Sequence, residues 1–167
     1  QLIATCISYD RDCETDVLAL CGASAAMHIS PAPMSAPVAG VRVCRVDGNL
    51  VLNPTYDERE AADIDLVIAG TKDAITMVEG GALEAQESDM LDAFDLAQDA
   101  IQKLIGCMEE LRAEAGKEKV EVPDAPQVDS EVASFMSEHG QAKLVAALAI
   151  PGKHERSAAL KAERNAV

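Results

Sequence analysis

The chain has 167 residues, 49% hydrophobic and 26% charged, a composition suited to a folded domain and not to a disordered segment. Acidic residues outnumber basic ones 29 to 14, and the resulting net charge of −15 is spread over both halves. RNA affinity needs basic groups that displace counterions, and only 2% of the residues are aromatic, so neither a general RNA-binding surface nor a base-stacking platform is expected; a solubility surface is.

No apolar run reaches the ~18 residues of a membrane span. The sequence opens at Gln1 on a strand-like run, without an initiator Met or a signal-peptide pattern, and reads as an internal piece of a longer chain. Cys6, Cys13, Cys21, Cys44 and Cys107 form no C-x-x-C pair and no zinc spacing. They are expected to be reduced, mostly buried thiols, which points to a cytoplasmic compartment.

Residues 2–8 are β-rich and apolar and predict a buried strand. A polar loop over 9–13 follows, and Glu14-Thr15-Asp16 supplies capping and first-turn residues for a helix. Gly22-Ala23-Ser24-Ala25-Ala26 leaves that helix little bulk, so a second backbone can approach it closely. Ser30-Pro31-Ala32-Pro33 ends it. Strands over 38–46 and 49–52 flank Asp47-Gly48, a two-residue hairpin signal, and alternation puts Arg42 and Arg45 on opposite faces.

Residues 56–62 read as a charged connection. A strand over 64–69 follows, then one over 74–79 that ends in a turn at Gly80-Gly81. From Ser88 the period changes. Met90, Phe94, Ala97, Ile101, Leu104, Met108 and Leu111 form one seam of a long helix over 88–115, stopped by Gly116 and expected to lie on the sheet. Residues 117–127 read as a linker, and 130–139, 141–150 and 153–166 as three short helices of a small, incomplete all-α unit. The fold class is α+β.

Several of these stretches match a known family in order and spacing. They are Gly22-Ala23-Ser24-Ala25-Ala26, then Ala36-Pro37-Val38-Ala39-Gly40-Val41-Arg42-Val43, then Leu52-Asn53-Pro54-Thr55 and Asp65-Leu66-Val67-Ile68-Ala69-Gly70-Thr71. The chain resembles the polynucleotide phosphorylases. Residues 1–116 are similar to the later half of their first RNase PH-type domain, and 128–167 to their all-helical unit. The resemblance implies an enzyme that degrades RNA from the 3′ end by phosphorolysis, using inorganic phosphate and Mg2+. It further implies a homotrimer around an RNA channel, with basic RNA-contacting loops upstream and KH and OB-type domains downstream. It also implies partners in RNA degradation.

The same resemblance implies that catalysis belongs to the second RNase PH-type domain. That copy carries Asp, five residues, Asp, one residue, Lys before its Ala-Gly-Thr-like turn. Here those positions hold Arg59, Asp65 and Val67, so one carboxylate of two remains and the cation is lost. The active copy's Ser-rich phosphate run becomes Glu14-Thr15-Asp16. A carboxylate 4 Å from a phosphate charge costs roughly 4 kcal/mol at an effective dielectric of 20. The segment is therefore expected to contain no catalytic, phosphate-binding or metal-binding residue and to be inactive alone, an architectural part that packs on the remaining domains of the enzyme.

Two other readings compete. One is an RNase PH-class enzyme with a displaced site built from Glu58, Asp63 and Asp65. The other is an acidic protein-interaction module that uses the long helix as its surface; it requires Phe94 and Ile101 to be outside the core. His28, His139 and His154 lack ligand spacing and are expected in surface or capping roles. Lys153, His154, Arg156, Lys161 and Arg164 are expected on a solvated helix face.

Overall fold

A computed structural model of the chain describes every residue except Arg11, Cys13 and Val167, so the Cys13 thiol and part of the 9–13 loop lie outside the described residues. The chain separates into two compact units, Gln1–Val122 and Pro123–Val167.

The first unit is α+β. Its elements are α1 (Thr15–Ile29), β1 (Ala39–Val46), β2 (Asn49–Leu52), α2 (Tyr56–Glu60), β3 (Ile64–Gly70), β4 (Ile75–Ala82) and α3 (Glu87–Ala115). The strands form one antiparallel sheet in the order β2-β1-β3-β4. Asp47 and Gly48 both have positive φ, 50° and 79°, the geometry of a tight turn whose twist suits a hairpin. Past the end of β2, Asn53 continues the pairing: its side-chain oxygen accepts from the Arg42 N–H at 2.9 Å, and its own N–H donates to the Arg42 carbonyl at 2.8 Å.

Alternation assigns the two sheet faces. Ala39, Val41 and Val43 of β1 join Ile64, Leu66 and Ile68 of β3 in a core closed by Ala93, Ala97, Ile101, Ile105 and Met108 of α3. Burial of the large members, at ~1.5–3 kcal/mol each, is what holds α3 on the sheet. The other face carries Arg42 and Asp65, while α1 packs beside β1 and against α3, with Cys21 and Ala25 on the same core. Ser24 Oγ accepts from the Val38 N–H at 2.9 Å, and the Cys21 thiol donates to the Gly40 carbonyl at 3.3 Å. Close approach of helix and strand therefore runs through Cys21, Ser24 and Gly40, while Gly22 faces open space.

The structure corrects several expectations. Residues 2–8 are not a strand; they are exposed, with Ile7 at 95%. None of the four strands pairs with them, and an unpaired strand would leave its N–H and C=O groups unsatisfied. Gly80 and Gly81 are not a turn but belong to β4. A Cβ on Gly80, whose φ is 150°, would sit 2.0 Å from the Asp65 carbonyl oxygen, so the glycine is what lets β4 close onto β3. The 56–62 connection contains α2, fixed by a capping box in which Thr55 and Glu58 bond each other's backbone. The α3 seam is broader than expected: Ala93 and Ile105 are buried along with Ala97, Ile101 and Met108, whereas Leu111 is exposed. With Ile101 fully buried and Phe94 packed against the core, α3 is not a free interaction surface. Cys44 is buried, but Cys6 and Cys107 are exposed, and the four described cysteines are unpaired.

The second unit contains α4 (Ser130–His139), α5 (Gln141–Leu148) and α6 (Lys153–Ala166). Arg156 is not free on a solvated face; it donates to the carbonyls of Ile150 and Pro151 at 2.9 Å and closes the α5–α6 turn. His139 is exposed and stacks at a tilt on Phe135. No helix among the described residues is long and apolar enough to cross a membrane.

Candidate functional site

The sequence positions that the resemblance singles out converge in space. Glu14 stands at the N-cap position of α1 without a side-chain capping bond, and Asp16 lies in the first turn of that helix. Arg59 lies in the last turn of α2, and Asp65 and Val67 project from the same face of β3. Asp16, Arg59, Asp65 and Val67 line one cavity of about 360 Å3, together with Arg42 of β1.

The carboxylates of this cluster are bonded within it. Arg42 bonds Glu14 at 2.7 Å, Asp16 at 2.7 Å and Asp65 at 2.5 Å. Arg59 bonds Asp65 at 2.6 Å and also Glu14. The second Asp16 oxygen accepts from the Val17 N–H at 2.7 Å. Every oxygen of the three carboxylates therefore has a donor. Arg42 and Glu14 are the most enclosed members, with side chains 8% and 10% exposed.

The protonation states follow from these contacts. Burial works to raise the Asp65 pKa, but the Arg59 and Arg42 bonds outweigh it and hold the carboxyl below its usual range. Burial opposes the charged form of Arg42 too, and its bonds to Asp65 and Asp16 keep it protonated. The neighbouring Cys44 thiol, 3.6 Å from Asp65, is pushed up to about 12 by burial and then by the Asp65 charge, so it is not a thiolate nucleophile.

Glu58, Asp63 and Asp65 do not share a site. Glu58 is held by the Thr55 N–H and hydroxyl, which lower its pKa. Asp63 receives two bonds from Arg45 at 2.8 Å, while Arg45 also bonds Asp89 at the start of α3. Arg42 and Arg45 thus serve opposite faces of β1, as alternation requires. Among the described residues no group of three or more His, Cys, Asp or Glu is arranged to hold a metal. The site residue that sequence reading missed is Arg42 as the hub: its partners lie 23 and 26 positions away, a pairing no local pattern encodes. His28, expected in a surface or capping role, lies in the last turn of α1 and is buried there.

A four-stranded antiparallel sheet covered by a long helix, with a small-residue helix packed beside β1 and against that long helix, is consistent with a domain of RNase PH type. In agreement, residues 36–100 match the 3′ exoribonuclease family, domain 2. The chain is similar to one segment of the polyribonucleotide nucleotidyltransferases. It is 47% identical to the polyribonucleotide nucleotidyltransferase of Halothermothrix orenii over 95% of this chain, and 46% identical to that of Persephonella marina over 96%. The protein of that name from Bacillus velezensis is 41% identical over the whole chain. The chain spans 22%, 22% and 24% of these relatives, under a quarter of their length.

Proposed function

We propose that this chain is a non-catalytic, architectural segment of an enzyme that degrades RNA from the 3′ end by phosphorolysis, releasing nucleoside diphosphates. The observation that carries this reading is the closed network of Arg42, Arg59, Glu14, Asp16 and Asp65. Phosphorolysis needs an anion cradle and a divalent metal held by oxygen ligands. Both Asp65 oxygens are taken by guanidinium groups, and three carboxylates against two arginines leave the cluster negative. The residues of this network fit neither Mg2+ nor phosphate.

The complete enzyme would hold Mg2+ and inorganic phosphate in other domains, form a homotrimer, and contact RNA chiefly through other segments. Exposed Met77 and Val78 on β4 and the exposed run 2–8 offer apolar surface for those domains to cover. Partners in RNA degradation and a cytoplasmic setting rest on the resemblance and belong to the same proposal. The test is direct: the purified chain, given RNA, Mg2+ and inorganic phosphate, should release no nucleoside diphosphate. Phosphate-dependent turnover would overturn the reading.

A further inference from the structure

The end of α1 opposite the ion-pair network borders a second cavity, of about 370 Å3. Its wall brings together His28 from the last turn of α1, Ser35 from the loop to β1, Thr71 and Lys72 from the β3–β4 turn, and Glu109 and Arg112 from α3. His28 is 5% exposed, and its Nδ1 is buried with no hydrogen-bond partner, an unfavourable state for a polar atom. Arg112 makes no side-chain hydrogen bond or ion pair among the described residues. The acid one turn before it, Glu109, is engaged by Lys72 at 3.6 Å.

Charged groups of both signs surround this end. Burial, then the charges of Arg112 and Lys119, hold His28 below its ordinary pKa, with Glu109 opposing. Lys119 lies in the segment after α3 and is committed to the carbonyls of Met27, Ser30 and Ala32 at 2.8, 2.9 and 2.8 Å. The cavity wall carries two cations, Lys72 and Arg112, and two acids, Asp73 and Glu109, and Lys119 lies outside that wall.

We propose that this cavity binds a phosphate group, arriving either as free orthophosphate or as the terminal phosphate of a mononucleotide. Arg112 supplies a planar pair of donors suited to phosphate oxygens, Lys72 a second charge, and Ser35 a hydroxyl. The volume lies within the range of small-molecule sites and exceeds what one phosphate fills, leaving room for the body of a mononucleotide beside Ile105. A bound dianion next to His28 favours its protonated form, so binding raises the His28 pKa.

The test is an NMR titration of the isotope-labelled 167-residue chain at fixed ionic strength, with orthophosphate, a nucleoside monophosphate and the unphosphorylated nucleoside. Saturable shifts at His28, Ser35, Thr71 and Arg112 are expected with one or both phosphates, with an upward move in the His28 titration. Response to orthophosphate identifies the free ion as ligand, and response to the monophosphate alone identifies the nucleotide. Arg112→Gln and, separately, Lys72→Gln should weaken binding, the former by about tenfold or more. Lys103→Gln, an exposed change elsewhere on α3, should not. Absence of saturation with both phosphates, equal shifts with the nucleoside, or full affinity in Arg112→Gln would each overturn the proposal.

Discussion

At the N-terminus of α1, three carboxylates meet two guanidinium groups and every carboxylate oxygen is bonded. At its C-terminus, a buried imidazole and an unpaired guanidinium border a cavity of similar size. Both ends obey the helix dipole, with Glu14 and Asp16 at the positive end and Lys119 at the carbonyl end. What differs is closure. Groups matched within the chain hold its elements together and exclude further ligands; groups left unmatched are where an outside ligand has something to gain.

The most disruptive way to break this contrast is to remove the hub. Arg42→Ala leaves Glu14, Asp16 and Asp65 crowded with one counterion, and should lower unfolding stability by about 3 kcal/mol in urea titration. Acid reaches the same network without mutation. The folded Asp65 pKa lies below its unfolded value, so its contribution is present above roughly pH 4 and is lost as pH falls through the folded value. Thermal melts from pH 6 to pH 2 should show that decline, and Arg42→Ala should flatten it. Arg59→Gln should have a smaller effect, about 0.5–1 kcal/mol by the same urea assay, because its side chain is 36% exposed and solvent screens it.

At the other end of α1, Lys119→Met should act locally. The backbone N–H groups of Lys117 and Val120, which donate to Ile29 and Pro31, should exchange with solvent faster while the sheet amides keep their protection. If the sheet amides exchange faster too, the Lys119 contacts support the whole unit and the two ends are not separable.

Local signals were well written in the sequence. Asp47-Gly48 between two apolar runs specified the hairpin, the 3.5-residue period specified α3, and Gly140 and Pro151-Gly152 divided the short helices. Thr55 and Glu58 carried a capping box that was legible but passed over. Residues 2–8 had strand chemistry and no strand, since pairing depends on a neighbour and not on propensity. The α3 seam was legible at Ala97, Ile101 and Met108, whereas burial of Ala93 and Ile105 and exposure of Leu111 depend on how the helix lies on the sheet. Of the N-terminal site, residues 14–16, 59, 65 and 67 were legible through alignment. Arg42 was not, because an ion pair across 23 residues is a property of the fold.

The central claim, that this segment supports the chemistry without performing it, is tested most directly by Asp65→Asn introduced into the longer polypeptide that carries this chain. Phosphorolysis of RNA would be measured per assembled molecule under saturating Mg2+ and phosphate. The expected result is a kcat within about twofold of the parent, with any loss confined to stability. A fall of a hundredfold or more in kcat, with fold and assembly intact, would place Asp65 in the reaction and contradict the claim.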